Sequence, residues 1–240
     1  MQKRKRFWRE AGEVSEDIIV NLVMFTGALA GLIFLIRPSV RKHKKLDLKI
    51  FDLIEKHRSE NNTKIMQAIT FFGTHTFFIP ANLTLISYFL FVKKRSWFSI
   101  RIASIALSSL GMMFLLKALF KRKRPVNPLE EAKGLSFPSG HAIMSATFYG
   151  LLIYIISQTV KEKELKLSLI ISLLIFIQLI GFSRVYLRVH YASDVAIGYV
   201  AGSLWLLLSL DVLKKIEEYN KALNEDPDFG KQLNLETINT

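Results

Sequence analysis

The sequence predicts an all-α membrane protein, a bundle of six transmembrane helices with an amphipathic interfacial helix between the first and second spans. Three observations carry that fold class. Half of the 240 residues are hydrophobic, and the mean hydropathy is +0.27. The apolar residues fall in long blocks near spanning length, separated by charged stretches. These blocks lack the period-two alternation of membrane β-strands.

The elements follow in order. Met1–Asp17 is polar and carries the basic run Lys3-Arg4-Lys5-Arg6. Ile18–Ile36 is apolar and uncharged, and it is the first span. Ala28-Leu29-Ala30 resembles a signal-peptide cleavage site. Against that alternative, acidic residues precede the segment and apolar sequence continues past Ala30. Arg37–Lys64 is charged, with Leu46, Ile50, Leu53 and Ile54 at helical spacing. This is an amphipathic helix, either lying at the membrane surface or packed on the rest of the protein. Phe77–Val92 is the second span; it begins as early as Gly73, and Pro80 marks a kink or start. Ile102–Leu116, running on to Phe120, is the third. Ala142–Val160, Leu165–Phe182 and Val195–Leu213 complete the set, with Lys161–Glu164 as a polar hairpin. The tail Lys214–Thr240 is polar. Neither an internal repeat nor a composition shift divides the chain, so residues 1–240 read as one domain.

The formal net charge is +13. A basic balance suits nucleic acid, anionic lipid or an anionic substrate. The apolar blocks leave no soluble domain for a nucleic-acid motif, so nucleic acid is not an expected partner, and a membrane accounts for charge and hydrophobicity together. Cysteine is absent, which excludes disulfides and thiolate metal sites.

The informative polar residues gather in three clusters, Lys117 to Pro125, Pro138 to His141, and Ser183 to Asp194. Each lies at the end or start of an apolar block. Alternating crossings bring all three to one membrane face. Lys117 and Arg124 are seven residues apart, two turns on one face if the helix persists to Pro125. Together they suit a phosphate, Lys as a point charge and Arg as a two-pronged donor. The rest of the run, Lys121-Arg122-Lys123, reads better as a basic stop at the membrane edge. Ser139 can cap the helix after it, Gly140 permits close backbone approach, and the free N–H groups form an anion site with His141 in the first turn. An ordinary helix cap is the plainer account of that cluster alone. His190 and Asp194 stand at i and i+4; if helical, the carboxylate can fix one imidazole nitrogen and leave the other free to attack. Arg184 supplies a second guanidinium.

In order, these residues are Lys117-(six residues)-Arg124-Pro125, Pro138-Ser139-Gly140-His141, and Ser183-Arg184-(five residues)-His190-(three residues)-Asp194. The pattern resembles the three-part signature of the type 2 phosphatidic acid phosphatase (PAP2) superfamily, with no departure between Lys117 and Asp194. The resemblance implies a membrane lipid phosphatase without cofactor or metal. It implies that His190 attacks phosphorus and becomes a phosphohistidine, and that Asp194 orients it. His141 then protonates the leaving oxygen. Lys117, Arg124, Ser139, Gly140 and Arg184 hold the phosphoryl oxygens, where charge develops during transfer. His141, His190 and Asp194 also fit a two-His-one-carboxylate metal site, but three cations aimed at the same place would repel a metal. His43, His57 and His75 match no part of the signature.

Three other functions compete. The signature also resembles that of vanadate-dependent haloperoxidases, which are soluble, and six spans argue against them. A lipid phosphotransferase shares the first half-reaction. A non-catalytic lipid binder or transporter would need the cations but not the His190–Asp194 pair. Candidate substrates are phosphatidic acid, phosphatidylglycerol phosphate and undecaprenyl diphosphate, and the short loops favour a bacterial inner-membrane protein. Basic residues are nearly balanced across the membrane. Setting aside those that catalysis uses predicts cytoplasmic termini and an outward-facing site.

Overall fold

The computed structural model describes residues 44–225 continuously, together with isolated positions between 19 and 31. Most of the predicted first span Ile18–Ile36, the basic run Lys3–Arg6 and the tail beyond Glu225 lie outside the described residues. Among the described residues all regular structure is helical. That is what long apolar segments in lipid require, because a helix satisfies its own backbone polar groups where water cannot.

The helices are α1 (Lys44–Glu55), α2 (Glu60–Phe71), α3 (His75–Ser87), α4 (Ser96–Phe120), α5 (Gly140–Thr159), α6 (Lys163–Tyr186) and α7 (Ala192–Glu225). A π-helical turn, Tyr88–Val92, continues α3. Five segments are long and apolar enough to cross a membrane: Glu60–Val92, α4, α5, α6 and Ala192–Lys221 of α7. They coincide in order with the last five predicted spans. The described residues from 44 to 206 pack within one unit that contains the whole candidate site.

The largest departures lie before the second span. The charged stretch predicted as one amphipathic helix is two helices. The first part ends at Glu55, and Ser59 caps α2, its side chain accepting from the Asn62 N–H at 3.1 Å. The second span therefore starts at Glu60, well before Gly73, and its first part, α2, packs on α6. Pro80 lies inside the second turn of α3 rather than at its start. The buried face of α1 also differs from expectation. Leu46 and Leu53 are exposed, whereas Asp47 and Phe51 are buried to 2% and 3% exposure. The stripe drawn through the leucines missed a charged residue that points inward.

Helix α5 is packed by neighbours on several sides. Phe148 and Tyr149 join Phe78 of α3 and Ile177 and Ile180 of α6 in an aromatic-rich core. The Tyr149 hydroxyl donates to the Phe72 carbonyl at 2.9 Å, just where the chain breaks between α2 and α3. On the other side α7 approaches through Gly198 and Gly202. A Cβ at Gly198 would stand 2.9 Å from the Ser139 carbonyl oxygen, and one at Gly202 would stand 2.7 Å from that of Ile143. Small residues permit this closeness between helices in lipid, where packing rather than water expulsion drives association. The contact fixes the start of α7 against the start of α5.

Candidate active site

Four helix ends and the α2–α3 break meet at one end of the bundle. Helix α4 stops at Phe120 because Lys121 turns left-handed (φ 47°), its N–H bonded to the Lys117 carbonyl. Arg124 therefore sits in the following non-helical segment, not on the face of α4 that carries Lys117. The segment 121–139 folds back instead. The Ser136 N–H binds the Arg122 carbonyl at 2.8 Å, the Ser139 N–H binds the Asp194 carbonyl at 3.0 Å, and Lys117 Nζ binds the Leu135 carbonyl at 2.8 Å. These bonds draw the first and second clusters together.

Arg124 spans the second connection. Its Nη1 donates to the Val189 carbonyl at 2.7 Å and lies 3.2 Å from His190 Nε2. Its other nitrogens donate to the Lys133 and Gly134 carbonyls. A guanidinium only donates, so Nε2 accepts and carries the lone pair, and the ring proton sits on Nδ1. Nδ1 faces Asp194 Oδ2 at 3.6 Å, beyond hydrogen-bond length. Burial pulls the His190 pKa down to about 4. The Asp194 carboxylate opposes the fall, and the Arg124 and Lys117 charges add to it. The imidazole is neutral at neutral pH.

The segment 187–191 is not helical, so His190 and Asp194 do not share a helical face. Arg188 is left-handed (φ 54°), and α7 begins only at Ala192. Asp194, in the first turn, reaches back to accept the Tyr191 N–H at 2.9 Å, one half of a capping box. The same Oδ2 accepts from the Ser136 hydroxyl at 2.5 Å.

Sequence reasoning missed the partner of Oδ1. Arg122, assigned to the basic stop at the membrane edge, is only 12% exposed and donates from Nη1 to Asp194 Oδ1 at 2.5 Å. Its Nη2 donates to Asp47 of α1 at 2.9 Å, and its guanidinium lies 4.0 Å over the Tyr191 ring. An acid bordering an apolar block, as Asp194 does, is costly without a partner, and the basic run next to Arg124 was the available signal. Asp47 had none, being one polar residue on a charged helix.

The remaining predicted residues are at the site. Ser139 caps α5, its hydroxyl oxygen 3.5 Å from the Ala142 N–H. A Cβ at Gly140 would meet Met113 Sδ at 2.7 Å, so the tight approach at this glycine includes helix α4. His141 follows in the first turn, within electrostatic reach of Arg184, His190, Arg124 and Lys117. Its Nε2 is buried without a hydrogen-bond partner among the described residues. Gly73 lies against its ring, where a Cβ would come within 2.6 Å of Cδ2. Arg184, in the last turn of α6, donates from Nη1 to the Thr70 hydroxyl at 2.6 Å and pairs with Glu130 at 3.2 Å.

An apolar cleft of about 450 Å³ runs from this end between α3 and α4. Phe78, Leu83, Leu107 and Leu110 line it, and His141 stands at its edge.

Comparison with known proteins agrees with this arrangement. Residues 97–218, just over half of the chain, match the family model of the PAP2 superfamily. Phosphatidylglycerophosphatase B of Bacillus subtilis (strain 168) is 29% identical over 161 residues, covering 66% of this chain and 78% of the relative. The crystal structure of a transmembrane PAP2-type phosphatidylglycerolphosphate phosphatase from Bacillus subtilis superposes with a TM-score of 0.69 at 25% identity. It covers 83% of this chain and 96% of that one. That of Aquifex aeolicus LpxE gives 0.56 at 26% identity, over 69% and 95% of the two chains. With the three-part signature converging at one end of a helical bundle, and the family matched across that region, this chain belongs to the PAP2 superfamily.

Proposed function

We propose that the protein is a lipid phosphate phosphatase of the bacterial inner membrane that works through a phosphohistidine and needs no metal. One observation carries this reading: a neutral imidazole whose Nε2 lone pair lies 3.2 Å from a guanidinium, with a carboxylate behind its other nitrogen. Arg124 is the type of group that grips a phosphoryl oxygen in two-pronged fashion. When a phosphate takes that guanidinium, Nε2 is released toward phosphorus.

In the first step Nε2 forms a bond to phosphorus as the bond to the lipid oxygen breaks. Protonated His141 gives its proton to that oxygen. Lys117, Arg124, Arg184, the Ser139 hydroxyl and the Gly140 N–H hold the three equatorial oxygens, where charge accumulates. In the second step water attacks phosphorus, the P–N bond breaks, and His141 takes the proton. Asp194 faces the Nδ1 proton throughout and stabilises the cationic ring. Its two oxygens already accept from Arg122, Ser136 and the Tyr191 N–H. It is thus poorly disposed to bind a metal among three cations.

The apolar cleft ending at His141 favours an amphiphilic substrate, tail between α3 and α4 and phosphate at the helix ends. Phosphatidylglycerol phosphate heads the candidates because two relatives carry that activity in their names. Phosphatidic acid and undecaprenyl diphosphate follow. The charge balance favours cytoplasmic termini and an outward-facing site.

The test is phosphate release by purified full-length protein in detergent with EDTA, from those three lipids, beside His190→Ala. Release by wild type, reduced by on the order of 10⁴-fold or more in the variant, is expected. Comparable release by the variant would remove His190 as nucleophile. Loss on chelation, restored by a divalent ion, would overturn metal independence. Phosphate trapped on His190 but released only to an added alcohol would indicate a phosphotransferase.

A further inference from the structure

We propose that Asp47 and Arg122 are positioning residues for the His190–Asp194 pair, making α1, a helix outside the region that matches the family, a working part of the active site. The inference rests on the assignment of His190 as nucleophile. Asp47 is 2% exposed, and its carboxylate bonds both the start of α7 and Arg122. Oδ1 accepts the Ser193 N–H at 3.0 Å; Oδ2 accepts the Ser193 hydroxyl at 2.8 Å and Arg122 Nη2 at 2.9 Å. Arg122 is thereby divided between two acids, Nη2 on Asp47 and Nη1 on Asp194 Oδ1. One turn on from Asp47 along the same face, Phe51 packs 5.7 Å from the Tyr191 ring and lies 5.2 Å from the Arg188 guanidinium. The whole buried face of α1 thus grips the segment that presents His190.

The division matters because a guanidinium facing a single carboxylate takes both oxygens in a parallel pair of bonds. Were Asp47 absent, Arg122 would be free to turn both forks on Asp194 and draw Oδ2 away from His190 Nδ1. With Asp47 in place, Arg122 holds Oδ1 alone, and Oδ2 stays aimed at the imidazole. A buried acid is costly without partners. Asp47 has them, and what it secures is the orientation of the carboxylate behind the nucleophile.

The test uses full-length protein in detergent, with a water-soluble phosphomonoester and a long-chain lipid phosphate. Asp47→Asn keeps the shape but turns an amide against Arg122. It is expected to lower kcat about 10- to 100-fold on both substrates, with little change in KM, as supporting partners of a site residue do. Labelled phosphoenzyme should form more slowly by the same factor. In an Asp194→Asn background the Asp47→Asn effect should shrink to less than about twofold, because the two act through one another. Ser193→Ala removes the hydroxyl that donates to Asp47 and accepts from Arg122 Nη1 at 2.8 Å; it tests the same grip if the charge variant misfolds, and should lower kcat severalfold in the same way. A kcat within about twofold of wild type for folded Asp47→Asn would overturn the proposal. Equal losses in the two Asp194 backgrounds would do the same. His190→Ala run alongside separates the premises: if it stays active, the nucleophile assignment fails whatever the Asp47 series shows.

Discussion

The two histidines of the site sit in opposite kinds of surroundings. His190 is enclosed by protein: Arg124 at one ring nitrogen, Asp194 behind the other, and Asp194 itself held by Arg122, Ser136 and a backbone N–H. His141 is also buried, yet its Nε2 meets no partner among the described residues, and it stands at the edge of an apolar cleft. One half of the site is preorganised by its own chain, while in the proposed reaction the other is completed by substrate. That division suits a reaction in which the nucleophile must be aimed beforehand and the acid must meet a leaving oxygen that arrives from outside.

The contrast can be broken from either side. The largest effect should follow Asp194→Asn, which removes the charge behind His190. We expect kcat to fall roughly 10³- to 10⁴-fold on every substrate, as in other nucleophile–carboxylate pairs, measured by phosphate release from folded protein. Equal loss on activated and unactivated esters would mark the nucleophile side. His141→Ala should divide the substrates instead. An alkyl phosphate should lose about 10²- to 10⁴-fold, and a nitrophenyl ester, whose leaving group needs no proton, much less. Equal loss on both would remove His141 as acid.

Smaller changes sharpen the picture. Leu110→Trp places a larger ring in the cleft. It should raise KM severalfold for a long-chain lipid, and by more than for a short-chain ester, with kcat little altered. A uniform change would detach the cleft from lipid binding. The smallest effect concerns pH. His190 titrates at about 4 instead of 6.5, so its neutral form persists well into acid. On a nitrophenyl ester, whose leaving group needs no proton from His141, and once the substrate's own ionisation is allowed for, kcat/KM should change less than about twofold between pH 7 and 5, then fall as pH drops through the folded value. A limb near 6.5 would show an exposed imidazole. The sign for stability agrees: the unfolded chain gains this proton first, so the contribution is full above 6.5 and is lost as pH falls toward 4.

The comparison also explains what could be read in advance. Helical class and the order of five spans followed from apolar block length, because a bilayer penalises any unpaired backbone group and leaves few alternatives. The meeting of Lys117, Arg124, Ser139, His141, Arg184, His190 and Asp194 followed from counting crossings. Local geometry was less legible. Arg124 and His190 both act from non-helical segments, set by left-handed Lys121 and Arg188, and neither lysine nor arginine announces that conformation as glycine does. Arg122 hid inside a basic run that membrane edges commonly carry.

By itself the sequence determined the class of the fold, the membrane as its solvent, and the identity of the signature residues, since hydropathy and side-chain type act along the chain. Only the tertiary structure decided which of four consecutive basic residues faces His190 and which holds the Asp194 carboxylate. It alone recruited Asp47, more than seventy residues away from Arg122, to share that grip. Pairing of buried charges depends on distance in space, and nothing in the spacing of a charged helix records it.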